Sequence, residues 1–408
     1  MPCDSPSRCL GREMSPPRSA AYAVRASLAQ ARWAWVLLLA AALVPAAAEE
    51  AIQRVVVQSP RPSGIACNDL VPIKFYSVPG SQHPTPAVIL LHALGEPEDA
   101  MIRRMARFFV SRGIAAATMP LPYHMQRLPP NDYPLRHYVT SDVSRAVQAY
   151  AQAAADVSAV ADWLENREGV DRQRIGVVGV SLGAMIAHLA MGMDERLSAG
   201  VAILGGGNMQ RMYAASILPR ILNPFAPRRL SEAQKELVRE VDPITYAHRN
   251  RPRRVLMIQA ARDDFVPPSA AKQLHEALGR PPIVWLDTNH YAPALAEQEI
   301  LRAAALYLRS VWSSCSTLPR LPSIVAPTVK IGTVISRRGA IWPSVMWQVL
   351  PIGMRPDHMS LFHLNIGVHS RSPFVSIGLT LSAYVDVGVS VRPGRYPAEP
   401  YVGLHMTL

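Results

Sequence analysis

Glycine stands on both sides of a serine in Gly179-Val180-Ser181-Leu182-Gly183, and no other stretch of this chain restricts the fold as much. An apolar run, Ile175 to Val178, precedes it, and the residues from Ala184 to Met191 have the composition of a helix. A strand that turns sharply into a helix brings backbone segments so close that the flanking positions have little room for a Cβ. The serine at the apex takes a strained conformation and holds its hydroxyl out from the end of the strand. The next amide sits at a helix N-terminus, where N–H groups lack intrahelical partners and can bind an anion. A glycine-rich turn can also serve packing alone, so the groups that would make this serine reactive must be sought elsewhere.

A serine hydroxyl becomes a strong nucleophile when a base takes its proton and a third group orients that base. On a strand-turn-helix elbow the chain order is serine, acid, histidine. Downstream, residues 254–259 read as a strand that runs into Arg262-Asp263-Asp264-Phe265-Val266-Pro267. Residues 283–286 read as another, running into Asp287-Thr288-Asn289-His290-Tyr291. Both put a functional group just past a strand's C-terminal end, the edge where parallel sheets build their sites. The other histidines fit less well: His188 lies within the helix after Ser181, His275 falls in mid-helix, and His124 is upstream of the serine.

Further strands are expected at 54–58, 71–78, 87–91, 114–119, 174–178 and 199–204, with helices at 98–111, 141–165 and 294–311. Strands alternating with helices predict an α/β fold, a mostly parallel sheet with helices on both faces. Residues 208–250 break this rhythm with two helix-like pieces separated by Pro224 and Pro227. They are a candidate helical cap insertion over the serine, or else a peripheral excursion. The loop 120–137, rich in Pro, Tyr and His, is a candidate pocket wall.

At these residues the chain resembles the α/β-hydrolase superfamily, in particular its dienelactone-hydrolase-like and prolyl-oligopeptidase-like serine esterases, over roughly residues 53–311. The family's D-x-x-V-P pattern selects Asp263 over Asp264, and His290 matches its late histidine. Its H-G-x-G-type turn corresponds to His92-Ala93-Leu94-Gly95, with Ala93 in place of a glycine. The resemblance implies an α/β-hydrolase fold and a catalytic set of Ser181, Asp263 and His290. It also implies an oxyanion hole from the backbone N–H groups of Leu94 and Leu182, with His92 supporting the turn. The implied reaction is cleavage of an ester-type acyl bond through an acyl-enzyme, with a carboxylesterase first. Thioesterase, lipase, peptidase and acyltransferase remain alternatives on the same residues, and a non-catalytic binding protein is the alternative of another class. No cofactor or metal is implied; the expected partner is a small-molecule ester or acyl substrate, and the oligomeric state is left open.

The net charge of +12 raises nucleic-acid binding, but its distribution argues against it. Residues 1–48 carry +3 and 316–408 carry +5, leaving +4 on 49–315. No nucleic-acid partner is therefore expected. Residues 33–48 form an uncharged apolar run of sixteen residues after Arg25 and Arg32, ending in Ala46-Ala47-Ala48. That pattern predicts a cleaved signal peptide, 1–48, and an exported, periplasmic or secreted product. The alternative is a membrane anchor at 33–48, and membrane association is expected only if this segment stays uncleaved. Met14 is an alternative start that would make the first thirteen residues an over-extension. After cleavage Cys67 and Cys315 remain, either as a disulfide tying the ends of the hydrolase-like region, 49–315, or as two separate thiols.

Residues 316–408 form a tail of different composition, dominated by Pro, Ser and Arg to about Pro356. Apolar residues then alternate over 362–368 and at every odd position from Val375 to Val391, with Ser370-Arg371-Ser372-Pro373 between. The period of two predicts a β-hairpin at 362–391. Seventeen residues make too long a strand, and a lone hairpin is marginal. An appended β element needing a partner, a disordered tail and sequence read in a shifted frame all stand.

Overall fold

The computed structural model describes residues 52–219, 229–251, 254–313, 321, 324, 328–337, 340–354, 359–369, 372–382, 384–392 and 395–407. The expected signal peptide, 1–48, and Cys315 lie outside the described residues, and with them the expected alternative of a Cys67–Cys315 disulfide. The Cys67 thiol lies 3.9 Å from the carbonyl of Arg127.

Eight strands form the first sheet: β1 (Ile52–Gln58), β2 (Leu70–Tyr76), β3 (Thr85–Leu91), β4 (Ala115–Thr118), β5 (Val170–Val180), β6 (Leu197–Ile203), β7 (Arg254–Ala260) and β8 (Ile283–Leu286). They lie in the order β1-β2-β4-β3-β5-β6-β7-β8. β1 pairs antiparallel with β2 and β2 with β4, and the remaining neighbours are parallel. β3 shows why the sheet must be covered twice. Ala87, Ile89 and Leu91 face one apolar cluster while Val88 and Leu90 face another, all with no exposure. Each Ile, Val or Leu among them contributes roughly 1.5–3 kcal/mol by leaving water.

Helices α1 (Ala100–Val110), α2 (Val143–Glu165), α3 (Leu182–Met193), α4 (Met209–Ala215), α5 (Glu232–Arg239), α6 (Pro268–Ala277) and α7 (Glu297–Trp312) surround the sheet. α2 and α3 cover one face through Ala149, Ala153, Val157, Ile186 and Ala190. α1 and α7 cover the other through Ile102, Phe109, Ile300 and Leu308. Two caps fix helix starts: Asp142 accepts from the Arg145 amide at α2, and Ser231 with Gln234 forms a capping box at α5.

The tail folds as six antiparallel strands: β9 (Thr328–Ser336), β10 (Ile341–Met354), β11 (Ser360–His369), β12 (Ser372–Ser382), β13 (Val385–Arg392) and β14 (Arg395–Thr407). They close into a barrel in the order β10-β11-β12-β13-β14-β9. The expected long strand over 375–391 is instead divided between two antiparallel strands, β12 and β13. The periodicity could not reveal this. Val375 faces Val391 and Ile377 faces Val389, so odd positions pair with odd positions and the outward face is unchanged across the turn. β10 and β14 went unrecognised because Pro343 and Pro351 interrupt the first and Pro397 and Pro400 the second, and the short β9, which holds no proline, was taken with the Pro-, Ser- and Arg-rich stretch around it.

An ion pair between Arg127 and Asp156, 2.7 Å apart and with neither side chain exposed, ties the 120–137 loop to α2. Arg127 also donates to the carbonyls of Asn68 and Pro120, and Ser59 donates to Asp156 at 2.6 Å. Removing one partner leaves the other charge buried and uncompensated. Asp156→Ala should therefore lower unfolding free energy by about 3–5 kcal/mol in urea titration. The double change Arg127→Met with Asp156→Leu should recover a large part of that loss.

Candidate functional site

Ser181 sits between β5 and α3 at φ 53° and ψ −113°, a conformation that costs a non-glycine residue about 1–3 kcal/mol. Neighbouring strands hold it there. The Ser181 amide donates to the Ile203 carbonyl at 2.8 Å, and the Gly183 amide donates to the His92 carbonyl at 3.1 Å. A Cβ on Gly179 would lie 2.1 Å from the Gly183 carbonyl oxygen, and one on Gly183 would lie 2.4 Å from that of Leu91. Both obstacles are backbone, so neither can swing aside.

The three candidate residues meet although 82 and 27 positions separate them in the chain. Ser181 Oγ lies 2.9 Å from His290 Nε2. His290 Nδ1 lies 2.7 Å from Asp263 Oδ2. Asp263 is buried, and its other oxygen accepts from the amides of Phe265 and Val266 at 2.9 and 2.8 Å. Those bonds hold the carboxylate as acceptor and aim it at the ring. Asp264 points elsewhere and accepts from the Tyr384 hydroxyl at 3.2 Å. The Phe265 ring packs against the imidazole with centroids 5.3 Å apart.

Leu94 and Leu182 line the same cavity as Ser181 and His290. Ala93 keeps a negative φ while Gly95 has φ +80°, which explains why a methyl is tolerated at the first position and not at the second. Two buried histidines brace this turn. His92 Nε2 accepts from the Leu121 amide at 2.9 Å, and His124 Nε2 accepts from the Gly95 amide at 3.0 Å. The second of these roles was missed in the sequence, where His124 stood out only as lying upstream of the serine. Acceptance requires a neutral ring nitrogen, and burial favours it, pushing His92 down to about 3 and His124 down to about 4.

The cavity over Ser181 measures about 740 Å³. Leu135 and Tyr138 wall it from the loop that follows β4, and Met209, Met212, Leu218 and Val238 from the 208–250 segment. Met101, Met105 and Met185 add further apolar surface, while Glu96, Arg104, Arg136 and Glu297 are its charged members. Burial raises the Glu96 carboxyl above its usual range. Among the described residues no group of three or more His, Cys, Asp or Glu side chains could hold a metal ion.

The sequence profile of the Prolyl oligopeptidase family matches residues 148–288, from α2 through the elbow and Asp263 to the end of the loop before His290. With the strand order and the elbow after β5, that match agrees with one architecture. The chain has the α/β-hydrolase fold. This α/β hydrolase is 27% identical over 171 residues to an "Uncharacterized 31.7 kDa protein in traX-finO intergenic region" of Escherichia coli. The match covers 40% of this chain and 54% of that protein, so the chain spans about half the length of the curated relatives it matches. Among solved structures it is similar to the Pyrococcus horikoshii acylaminoacyl peptidase, with TM-score 0.51 and 12% identity, over 66% of this chain and 43% of that one. It is also similar to an acetyl xylan esterase from Paenibacillus sp. R4, with TM-score 0.48 and 20% identity, over 62% and 87% of the two chains. At 12% identity the likeness to the acylaminoacyl peptidase shows the fold alone, which is the α/β-hydrolase fold.

Two expectations follow from the elbow and its braces. Gly183→Ala should destabilise this hydrolase by about 2 kcal/mol or more, because overpacking against backbone forces the turn open. Thermal unfolding and ester turnover of the purified variant would register both effects. The second concerns pH. The unfolded chain protonates its histidines near pH 6.5, while His92 and His124 stay neutral in the fold until about 3 and 4. The unfolded state thus binds more protons in that window, and stability falls as pH drops from 6.5 towards 4. At pH 5 the loss should be about 2 kcal/mol per histidine relative to pH 7. A His124→Gln variant, which keeps an acceptor for Gly95, should lose correspondingly less between the two pH values in urea titration.

Proposed function

We propose that this chain is a carboxylesterase that works through Ser181, His290 and Asp263. The observation that carries the reading is the continuous relay from Ser181 Oγ to His290 Nε2 at 2.9 Å and from His290 Nδ1 to Asp263 Oδ2 at 2.7 Å. Ser181 Oγ attacks the ester carbonyl carbon as its proton passes to His290 Nε2. Asp263 holds the ring tautomer and stabilises the imidazolium that forms. The carbonyl electrons move onto oxygen, and the amides of Leu94 and Leu182 receive that oxyanion. Collapse of the tetrahedral intermediate releases the alcohol, which takes the proton from His290. Water then repeats the sequence on the acyl-Ser181 ester, with His290 again as base, and frees the acid.

The apolar lining and the 740 Å³ volume favour an acyl or alcohol portion of medium length over a small acetyl group alone. Thioesters, amides and acyl acceptors other than water fit the same relay and differ only in what the cavity admits. The apolar run at 33–48 supports export of the enzyme, by cleavage or by anchoring.

Hydrolysis of p-nitrophenyl esters from acetate to decanoate tests the reading. Ser181→Ala should lower kcat/KM by at least about 10³-fold, and Asp263→Asn by about 10²- to 10⁴-fold. Asp264→Asn should stay within a few-fold of wild type. A folded wild-type protein that hydrolyses no ester or thioester and is not labelled by a fluorophosphonate would instead be a binding protein.

A further inference from the structure

The six-stranded barrel is built inside out. Most residues that face the interior are polar, among them Lys330, His363, Asn365, Ser376, Asp386 and His405, all nearly or completely buried, beside a small apolar cluster of Val334, Met346, Phe374 and Tyr401. The alternate residues face outward and are apolar: Val345 is 50% exposed, Trp347 53%, Ile366 51%, Ile377 62% and Met406 65%. Among the described outward positions on these strands none carries a charge. The exposed apolar surface runs round the barrel, whereas a soluble monomer rarely shows a contiguous patch beyond a few hundred Å². Inside, Lys330 lies 2.6 Å from Asp386, with His363 and His405 at 3.2 and 3.6 Å from the same carboxylate oxygen. A water-soluble barrel of this size would bury the aliphatic residues and show the charges, since burying an ion pair gives no advantage over apolar packing.

In hydrocarbon the preference inverts. Every backbone polar group must be satisfied internally, which a closed antiparallel barrel achieves because it has no edge. A ten-residue strand at ordinary barrel tilt rises about 25 Å, the height of the apolar band of a membrane barrel. The described strands are 8 to 14 residues long. One barrel end meets the hydrolase: Thr328 donates to the Asp287 carbonyl, Gln348 to the Asp287 carboxylate and Tyr384 to Asp264. At the opposite end the chain is basic. The turn after β9 opens with Arg337, and β13 and β14 pair Arg392 with Arg395. Arginine at the rim of an apolar band complements anionic headgroups.

We propose that the barrel is a membrane-inserted module, its outer face against lipid hydrocarbon and its arginine-bearing turns at an anionic headgroup layer. This attachment is independent of residues 33–48.

The test uses the full chain with vesicles of phosphatidylcholine alone or mixed equally with phosphatidylglycerol. Wild type should float with both after a carbonate wash, and more with the anionic mixture. The triple variant Val345→Glu, Ile366→Glu, Ile377→Glu should lose at least tenfold of its vesicle-bound fraction while the thermal transition of the hydrolase persists. A second measurement needs no charged substitution. Vesicles of brominated lipid should quench the fluorescence contributed by Trp347, read as the difference between wild type and Trp347→Phe. Equal flotation of wild type and triple variant, or no quenching at Trp347, would overturn the proposal and assign any binding to the N-terminal segment. A soluble wild-type dimer that the triple variant converts to monomer would also overturn it, with a second copy covering the face.

Discussion

Everything at the candidate site depends on how closely the elbow approaches the end of β3. Gly183 lies against the carbonyls of Leu91 and His92, and its amide donates to the latter. That contact sets the start of α3 relative to the turn after β3, and so sets the serine relative to the amide of Leu94. The strain at Ser181 is sustained because backbone on both sides leaves no other conformation. The Asp263 and His290 loops leave the same sheet edge, so one set of parallel strands aligns all four contributions.

Around this edge the protein uses two kinds of buried polar group. His92 and His124 stay neutral and spend their ring nitrogens on backbone, one on each side of the Leu94 turn. Arg127 and Asp156 stay together and fix the loop that walls the cavity. Each is a polar group in a place that hydrophobic packing would ordinarily fill. In each the buried atoms are used to hold loop backbone, which lacks the hydrogen bonds that strands and helices supply for themselves.

Much of this was legible in the sequence. The elbow showed itself because steric exclusion leaves a literal trace, glycine at 179 and 183. The sheet strands and main helices fall within a few residues of expectation, since buried parallel strands are short apolar runs with few competing readings. Asp263 was separable from Asp264 only by the family pattern; in the fold the difference is which carboxylate the loop turns inward. His124 was not legible, because a ring that accepts from a backbone amide leaves no periodic signal. The barrel was half legible. Alternation marked 362–391, but antiparallel pairing preserves it across a turn, so neither the number of strands nor their closure could be counted from the pattern.

The glycines of the elbow also constrain how such a protein can change over evolutionary time. A substitution at Ser181 removes one hydroxyl and leaves the backbone path open, whereas any side chain at 179 or 183 collides with carbonyl oxygens and threatens the whole sheet edge. A duplicated copy released from selection on this site should therefore lose its serine long before it loses its glycines. Descendants of this architecture that no longer use the site should be recognisable by an intact glycine frame around a vacant centre.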